Sequence, residues 1–564
     1  MQFDTRGKTP LTEGGEGIIY EYGNNSVIKI YKPHINLKSK LAKIKMLIKA
    51  NLPAAVIKPT DVVTDRNGNF IGMVMPKVQG EDFKRLSNKK FVTTNNINTK
   101  DILIMLAELW HVLQELHKQS IYVGDLNDQN ILFDIKTKNI FIIDTDSWTI
   151  GNERCEVAMD LFKDPKLVGD NFNAATDTYA FCVLAWKSLT RIHPFGGTTN
   201  PDMQIIDRIN SGMSVIDNPN VKIPKTTKTW RNLSPDLINA FKQVLNNGDR
   251  TFGNYLDDML NNLTFCKTDN DYYFAEYSSC PICNITATVV KRAVSIGVEN
   301  GFKIAQMLNA TDVKSVYSNK IYLNSNNEIV DISSGKKVKY TGGRCLFDKN
   351  NHVITCYKDY MDIEINGNIT HIPIQFNSYP MIEGNVVYYI SDQGYLSSLE
   401  VVGTGVGKKI LQKCSNNAFF KVSNGKYCVV NIYDGKIITN VDGYYYTMDF
   451  DKRIVAGDAH YDARTDRWLI VLEDTTSTYH SFIFEKNKQI WQSSKVNYKC
   501  PVYNICFDSG AIYIPIDDAI RGMNVKTLQY KDFTCSVVNS DSVLIKNGGQ
   551  FIIVNDDNIY RFYK

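Results

Sequence analysis

Two short polar stretches between apolar runs carry the side chains best suited to chemistry. In VGDLNDQNILF, Asp125 and Asn130 stand close together, and Asp144 follows in FIIDTDSW. The sequence between them, ILFDIKTKNIFII, is predicted to form a β-hairpin that brings Asn130 and Asp144 together. An amide oxygen and a carboxylate could then share a hard cation, while Asp125 orients and deprotonates a hydroxyl. Turn formation alone explains one of these residues, but not all three at these spacings.

A glycine-rich hairpin followed by a lysine is the second candidate for chemistry. Gly14, Gly15 and Gly17 precede two predicted strands, and Lys29 lies in the middle of the second strand. Such a hairpin lets backbone N–H groups approach phosphates without Cβ clashes, and the lysine would face those phosphates. Glycine turns more often only close hairpins, and strand lysines are usually solvated. The phosphate-binding interpretation of this hairpin therefore depends on the polar stretches further along the chain.

The elements that must position these residues change character along the chain. Residues 1–90 read as short strands interrupted by one helix, LKSKLAKIKMLIKA, and residues 99–265 are mainly helical. After about residue 300, short aromatic and β-branched strands, each followed by Asn, Asp or Gly, recur at roughly forty-residue intervals. About seven such units would fit, which predicts a seven-bladed β-propeller. An irregular double-sheet structure is the competing interpretation.

Composition sets limits on the function. With 564 residues the chain is too long for one core, and 43% hydrophobic and 22% charged residues describe an ordinary globular protein. A net charge of +4 gives no support for a nucleic-acid partner. We find no signal peptide and no stretch long and apolar enough to span a bilayer. We therefore expect a cytoplasmic protein with reduced thiols and no membrane partner.

The glycine-rich hairpin, the strand lysine and the two polar stretches follow one another in the order found in protein kinases. Over about residues 8–265 the chain therefore resembles the eukaryotic-type protein kinase superfamily. The resemblance implies that Lys29 in SVIKIY is the strand lysine that anchors phosphates. It implies that Asp125 is the catalytic aspartate and that Asn130 and Asp144 bind the metal. The implied cofactors are ATP and Mg²⁺, and the implied reaction is phosphoryl transfer.

The resemblance extends to the adenine site and to the frame of the domain. Met75, Lys77 and Val78 in GMVMPKVQGEDF match the hinge that holds adenine, and the glycine-rich hairpin matches the phosphate loop. Asp177 in TDTYAF matches the buried helix aspartate that braces the catalytic loop. Arg250 in GDRTF is similar to the late arginine of the C-terminal lobe.

More narrowly, GGEG, GDLN, IDTDSW, HPFGG and a following CPxC resemble one bacterial branch, the tellurite-resistance-associated and related serine/threonine kinases. The predicted fold class is α+β. A bilobal protein-kinase-like domain would span residues 1–265, with an N-lobe over 1–80 and a C-lobe over 81–265. A cysteine-containing linker over 266–300 would lead to an all-β, propeller-like domain over 301–564.

One departure from the family pattern concerns the partner of Lys29. No acidic residue lies in the stretch from 34 to 50, where a helix should supply a glutamate for this lysine. Glu13, Glu16 or Glu81 could serve instead, or Lys29 could work unpaired. Thr12 also stands where the first glycine of the phosphate loop is usual.

Other departures concern the catalytic loop and the substrate platform. Gly124 replaces the arginine before the catalytic aspartate, which predicts activity that does not depend on phosphorylation of an activation loop. Asn127 replaces the usual catalytic-loop lysine, as in small-molecule phosphotransferases. The run Phe162–Pro165 stands where A-P-E would be.

Three functions follow from this sequence. The first is an active serine/threonine protein kinase whose propeller recruits a protein substrate or partner. The second is a pseudokinase scaffold, favoured by the missing helix glutamate. The third is a kinase of a small molecule, suggested by GDLN. Retention of Lys29, Asp125, Asn130 and Asp144 favours an enzyme over a scaffold.

The cysteines and one histidine carry weaker signals. Cys280 and Cys283 have metal-ligand spacing and Cys266 lies near, but no second CxxC or nearby histidine completes four zinc ligands. A short reduced turn is favoured over a degenerate zinc knuckle. Cys155 is predicted to be a packed small hydrophobe, and His193 to anchor a loop.

Overall fold

The computed structural model describes residues 1–283 except 7, 9 and 156. It also describes 298–563 with gaps at 300–301, 308–312, 319–320, 325, 332–334, 341, 349–351, 366, 377, 403–404, 434, 487, 548–549 and 556–557. The chain forms two compact units, one of residues 1–8 and 16–293, the other of 9–15 and 294–564. Residues 266–283 of the segment predicted as a linker belong to the first unit. Most of the remainder of that segment, residues 284–297 and 300, lies outside the described residues.

The elements up to residue 274 follow the predicted order, with mainly strands first and mainly helices after them. In chain order they are β1 (Pro10–Glu13), β2 (Gly17–Tyr22), β3 (Ser26–Tyr31), α1 (Leu37–Lys49), β4 (Asp61–Thr64), β5 (Phe70–Pro76), β6 (Glu81–Asp82), α2 (Lys89–Thr94), α3 (Thr99–Lys118), β7 (Ile131–Phe133), β8 (Ile140–Ile142), α4 (Ala174–Thr190), α5 (Ile205–Asn210), α6 (Pro235–Leu245), α7 (Tyr255–Asn261), β9 (Leu263–Cys266) and β10 (Asp271–Phe274). Two 3₁₀ turns, Phe83–Ser87 and Thr145–Ser147, complete this part.

The strand part of the first unit contains an antiparallel sheet in which β2, β3, β5 and β4 are neighbours in that order. Lys29 lies mid-strand in β3, opposite Ile19 of β2 on one side and Met73 of β5 on the other. The predicted helix is confirmed as α1, whose first turn is capped by the side chain of Asn36. Its buried face is formed by Lys40, Lys43, Ile44 and Leu47.

The part from residue 99 to 265 is mainly helical, as predicted, and its longest helices are α3, α4 and α6. A capping box of Asn98 and Asp101 begins α3, and Ser234 followed by Pro235 begins α6. Helix α4 is apolar nearly all round and accordingly is buried along most of its length. None of the helices in the described part of the chain is long and apolar enough to cross a membrane.

The predicted hairpin between the two polar stretches is also confirmed. Strands β7 and β8 pair antiparallel, with Ile131 opposite Ile142 and Phe133 opposite Ile140. At the open end the backbone N–H of Ile143 donates to the carbonyl of Asn130 over 3.0 Å. The hairpin therefore carries Asn130 and Asp144 to the same end of the sheet.

In the second unit every regular element after residue 297, among the described residues, is a strand. These are β11 (Val298–Glu299), β12 (Phe302–Gln306), β13 (Val313–Ser318), β14 (Ile321–Asn324), β15 (Glu328–Asp331), β16 (Lys337–Lys339), β17 (Arg344–Phe347), β18 (Val353–Cys356), β19 (Tyr360–Ile365), β20 (Asn368–Pro373), β21 (Met381–Glu383), β22 (Val386–Ile390), β23 (Tyr395–Val402), β24 (Gly405–Lys413), β25 (Phe419–Ser423), β26 (Lys426–Tyr433), β27 (Lys436–Val441), β28 (Tyr444–Asp449), β29 (Ile454–Asp462), β30 (Arg467–Asp474), β31 (Tyr479–Glu485), β32 (Lys488–Ser493), β33 (Cys506–Asp508), β34 (Ala511–Ile516), β35 (Ala519–Asn524), β36 (Tyr530–Thr534), β37 (Val543–Asn547), β38 (Gln550–Asn555) and β39 (Asn558–Tyr563).

These strands form a series of short antiparallel sheets. From β13 to β36, each consecutive group of four makes one sheet. The remaining sheet joins the two ends of the unit, because β12 pairs with β39. The second unit is therefore a large all-β region of many short sheets, with apolar clusters between them such as that around Leu469, Ile483 and Ile512.

Candidate active site

The ammonium group of Lys29 is the centre of the site. Its Nζ lies 2.6 Å from Oδ1 of Asp144 and 2.9 and 3.0 Å from the two carboxylate oxygens of Asp146. A third carboxylate, that of Glu16, lies 3.6 Å away. The structure thus brings together a strand of the sheet and the segment after the β7–β8 hairpin, more than a hundred residues apart in the chain.

Asp144 reaches this position through an unusual backbone conformation. It has a φ of 60°, in the left-handed region that residues other than glycine rarely adopt. The 3₁₀ turn Thr145–Ser147 follows directly, and Ser147 donates to the carbonyl of Asp144. Strained backbone of this kind clusters at functional sites, where surrounding contacts hold it in place.

Asp146 is the functional residue that sequence reasoning missed. Its side chain is completely buried and accepts from Lys29 and, over 2.7 Å, from the hydroxyl of Tyr31. It supplies the carboxylate partner of Lys29 that the helix was expected to provide. The signal was the second aspartate of IDTD, which a single 3₁₀ turn places on the same side as the first.

Helix α1 contributes a cation where the family pattern has a glutamate. Lys40 Nζ lies 2.5 Å from Glu16, 3.3 Å from the Asp146 carboxylate and 3.1 Å from the Asp146 carbonyl. Lys43, one turn on, donates to the carbonyls of Ser147 and Arg154. The charges are reversed relative to expectation, so α1 is held to the Asp146 turn by lysines. Their place on the buried face of α1 was the sequence signal for this.

Among the alternative partners of Lys29 whose side chains the structure describes, Glu16 is the one that lies near its ammonium group. Glu81 lies on β6 and pairs instead with Arg85. The side chain of Glu13 lies outside the described residues. The alternative of an unpaired Lys29 is wrong, because two aspartates and Glu16 surround its ammonium group.

Mutual charge sets the ionisation of the cluster. Burial alone would lower the pKa of Lys29, but Asp144, Asp146 and Glu16 raise it well above its usual range. Burial alone would raise the pKa of Asp146, but Lys29 and Lys40 hold it far below its usual range. Burial raises the pKa of Asp144, against the pull of Lys29. Three carboxylates face two ammonium groups, which leaves one formal negative charge for a cation to offset.

The catalytic-loop carboxylate of Asp125 is held by three neighbours. Its Oδ1 accepts from the Asn127 amide over 2.9 Å and from the backbone N–H of Met159 over 2.8 Å. Its Oδ2 accepts from the Asn130 amide over 3.3 Å. Because Asn130 donates through Nδ2, its amide oxygen is oriented away from Asp125.

The loop itself is fixed from beneath by helix α4. Both oxygens of the buried Asp177 accept 2.8 Å hydrogen bonds, from the backbone N–H groups of Val123 and Gly124. Gly124 has a φ of 72°, and a Cβ there would lie 2.7 Å from the Cys155 sulfur. Packing of Cys155 therefore occupies the place where the expected arginine would start. Burial raises the pKa of the Cys155 thiol to about 12, as expected for a packed, unreactive cysteine.

The start of β2 and the predicted hinge lie in the same sheet. Gly17 starts β2, where a Cβ would lie 2.7 Å from the carbonyl of Ile30, so close strand approach requires glycine there. Gly14 and Gly15 lie in the connection from β1 to β2. In the predicted hinge, the backbone N–H of Lys77 donates to the carbonyl of Asn25. Binding of adenine by Met75, Lys77 and Val78 stays a prediction.

Two further predicted residues serve as anchors in the helical part. Arg250 makes two parallel 2.7 Å hydrogen bonds to Asp164, within the run that stands in place of A-P-E. The buried His193 donates from Nε2 to the carbonyl of Leu161 and accepts at Nδ1 from the N–H of Phe195. Burial lowers the pKa of His193 to about 3, so the ring is neutral.

Comparison with known proteins agrees with this geometry. Residues 17–251 match the family model described as protein kinase domain. The chain is similar to a probable casein kinase II subunit alpha homolog of Encephalitozoon cuniculi (strain GB-M1), 24% identical over 186 residues that cover 32% of this chain and 56% of the relative. The chain thus spans little more than half of that relative's length.

A solved structure is also similar to part of the chain. It is the kinase PK-1 of the Cydia pomonella granulovirus, 19% identical with a TM-score of 0.32, and the match covers 42% of this chain and 85% of that one. The family model alone carries the conclusion: residues 17–251 of this chain match a protein kinase domain.

Proposed function

We propose that the chain is an ATP-dependent phosphotransferase that phosphorylates serine or threonine hydroxyls of a protein. The observation that carries the proposal is the 2.6 Å contact between Lys29 of the sheet and Asp144 of the hairpin. It joins the predicted phosphate anchor to the predicted metal ligand across a long stretch of sequence. The resemblance of GDLN and IDTDSW to the tellurite-resistance-associated branch supports the same proposal. A cytoplasmic location stays a prediction.

In this proposal each side chain has one role. Lys29 neutralises oxygens of the nucleotide phosphates, and Asp146 and Glu16 hold its ammonium group in position. Asp125 accepts the proton of the substrate hydroxyl and orients it, since Asn127 and the Met159 N–H fix its carboxylate. Val78 and Met75 would hold the adenine at the hinge.

The donor set near Asp144 fits a hard divalent cation. Asn130 offers an amide oxygen and Asp144 a carboxylate, which are the oxygen ligands that Mg²⁺ prefers. The residual negative charge of the cluster also favours a cation. When bound by Asn130 and Asp144, Mg²⁺ would supply positive charge beside the transferring phosphate.

An active enzyme is favoured over a scaffold because Lys29 has a carboxylate partner, Asp146. The scaffold hypothesis rested on the missing helix glutamate. Asp146 meets that requirement from a different element, and Tyr31 and Lys40 bind it in turn. A pair held by these two supporting side chains is expected where Lys29 must be positioned.

Labelled ATP with Mg²⁺ tests the proposal, with wild type beside Asp125→Asn. We expect label on protein serine or threonine, and a fall in turnover of about 10²–10⁴-fold in the variant with nearly unchanged ATP affinity. Asp170→Asn, at an exposed aspartate, is the matched control and should behave as wild type.

Other outcomes separate the alternatives. Label on an added small molecule but not on protein would support the small-molecule kinase suggested by GDLN. ATP binding without transfer in wild type would support the scaffold. An equal fall of ATP affinity and turnover in Asp125→Asn would contradict the role of Asp125.

We further propose that the second unit is a β-propeller that recruits the protein substrate or a partner. Two features support a ring: the first strands of successive sheets contact one another from β17 through β37, and β12 pairs with β39 at the junction of the ends. Electron microscopy of the full chain should reveal a ring with a central channel. Two stacked sheets would contradict the propeller.

The exposed tyrosines of β28 are the proposed contact. Tyr444 and Tyr445 are half-exposed or more, and tyrosine is enriched at protein interfaces. Replacing both by serine should lower phosphorylation of a protein acceptor without lowering ATP affinity. Val168→Ser, another exposed apolar change, is the control. Equal phosphorylation by the double variant and wild type would rule out this surface.

A further inference from the structure

The hairpin of β9 and β10 and the turn after it bring three thiols and a carboxylate together. Cys280 and Cys283 have their sulfurs 2.9 and 3.0 Å from Oδ2 of Asp269, and the sulfurs of Cys266 and Cys283 are 3.5 Å apart. One ligand atom from each of the four residues lies within 4.8 Å of every other. Four donors at this spacing surround a point that a single ion can occupy.

The fourth donor explains why the sequence looked incomplete. Cys266 and Asp269 are separated by two residues, as are Cys280 and Cys283. The pattern is therefore two matching half-sites, C-x₂-D and C-x₂-C, with an aspartate in place of a cysteine. A search for a second CxxC or a histidine misses this ligand, because aspartate in a turn is usually read as a turn former.

The cysteines of the two half-sites are not joined by a disulfide, so their sulfurs can bind a metal ion. The 3.5 Å sulfur–sulfur separation is far longer than the ~2.05 Å of a disulfide.

We propose that Cys266, Asp269, Cys280 and Cys283 bind one Zn²⁺ ion. Three thiolates and one carboxylate fill a tetrahedral shell, with typical distances of about 2.3 Å for Zn–S and about 2.0–2.2 Å for Zn–O. Because the protein supplies all four ligands, the site is closed and structural. The sulfur-rich donor set selects zinc over Mg²⁺ and Ca²⁺, which take oxygen ligands.

The ion would fasten the end of the kinase domain. Asp271 of β10 accepts from the backbone N–H of Thr99, at the start of α3, and pairs with Lys228 over 2.6 Å. Asn232 bonds the same strand at the carbonyl of Tyr272. A two-stranded hairpin is marginal alone, and metal binding contributes directly to folding. Zinc would thus tie residues 280–283 to a hairpin that is itself docked beside α3.

The metal content of the purified full chain is the test. Elemental analysis should find about one zinc per chain in wild type and almost none in Cys280→Ser/Cys283→Ser. Asp269→Ala should lose most of the zinc, and Asp269→Cys should retain it. Asp258→Asn, at an exposed aspartate nearby, is the control and should keep wild-type zinc.

A second measurement on wild type does not depend on how the variants fold. Exchange of the ion for Co²⁺ should give the sulfur-to-metal charge-transfer and intense visible bands of tetrahedral thiolate coordination. Removal of the metal by a chelator should speed amide hydrogen exchange in 263–283 and leave α4 unchanged. The proposal would be overturned by wild-type protein that contains no metal or contains iron in place of zinc. It would also be overturned by a cobalt spectrum typical of octahedral coordination, or by a full zinc content in the double serine variant.

Discussion

Asp146 in the first unit and Asp474 in the second are both buried, yet their partners lie at very different distances along the chain. Asp146 is bound by Lys29 and Tyr31, which precede it by 117 and 115 residues. Asp474 is bound by Thr476 and His480, which follow it by 2 and 6 residues. The first carboxylate joins separate elements, whereas the second closes one turn between β30 and β31.

The same contrast holds more widely. Asp348 is bound by His352, four residues further along the chain, and Asp462 by Arg464 and Thr465 in its own turn. In the second unit these aspartates fasten turns of the sheets, although Asp462 also accepts from the more distant Gly510. Around Lys29 in the first unit, by contrast, the carboxylates are balanced by lysines from other elements. Distant cationic partners thus accompany the candidate site at Asp146, and local N–H and O–H donors accompany the turns at Asp462 and Asp474.

The largest effect is expected from Asp146→Asn. The change leaves Lys29 and Lys40 facing an amide, and breaking a buried ion pair costs about 3–5 kcal/mol. ATP affinity should also fall, because Lys29 loses a positioning partner. Hydrogen exchange of peptides that cover Ser26–Tyr31 measures the change in opening free energy. A loss below about 1 kcal/mol would mean that Asp146 does not hold the lysines.

A smaller effect is expected from Tyr31→Phe. It removes the 2.7 Å hydrogen bond to Asp146, and hydrogen bonds to charged groups contribute about 1.5–3 kcal/mol. The same exchange experiment measures it. Tyr22→Phe, at an exposed tyrosine of β2, should change nothing, and equal effects of the two variants would show that Asp146 does not depend on Tyr31.

Acid should destabilise the first unit through His193. The pKa of His193 is about 3 in the folded chain, against the ordinary value of 6.5 that applies when the chain is unfolded. Between pH 3 and pH 6.5, therefore, only the unfolded chain binds a proton at this histidine. The free energy of unfolding should fall as pH drops from about 6.5, by at most ~1.4 kcal/mol per pH unit.

The full chain is unfolded in urea at pH 7 and at pH 5, and amide hydrogen exchange in peptides around residue 193 reports the unfolding. The loss of unfolding free energy between the two pH values should be about 2 kcal/mol smaller in His193→Gln than in wild type. His111→Gln, at a half-exposed histidine, is the control. An unchanged pH dependence in His193→Gln would place the acid sensitivity elsewhere.

The smallest effect is expected from Asp474→Asn, the same substitution as at Asp146. One oxygen of Asp474 accepts from the N–H groups of Thr476 and Thr478, and an asparagine keeps that oxygen. The new amide can donate to His480, so the cost should stay below about 1 kcal/mol. Exchange of peptides over β30 and β31 checks it. A cost equal to that of Asp146→Asn would remove the distinction between the two regions.

Much of the candidate site could be predicted from the sequence because its signals are local. Asp125 and Asn130 share one loop. The hairpin that brings Asp144 beside Asn130 is predicted from two short apolar runs on either side of a polar turn. The helices followed from periodicity and caps for the same reason. The roles of these residues in catalysis stay predictions until the variants are measured.

What the sequence determined by itself was therefore the order of the elements and the residue types they carry. Only the tertiary structure decided which charges meet: that Asp146 pairs with Lys29, that Lys40 enters where a glutamate was expected, and that Asp269 completes the cysteine cluster. Periodicity and caps depend on neighbours within a few residues, whereas ion pairs depend on distances in space. A lysine and an aspartate 117 residues apart have no local pattern that links them, so folding of the chain is what selects the pair.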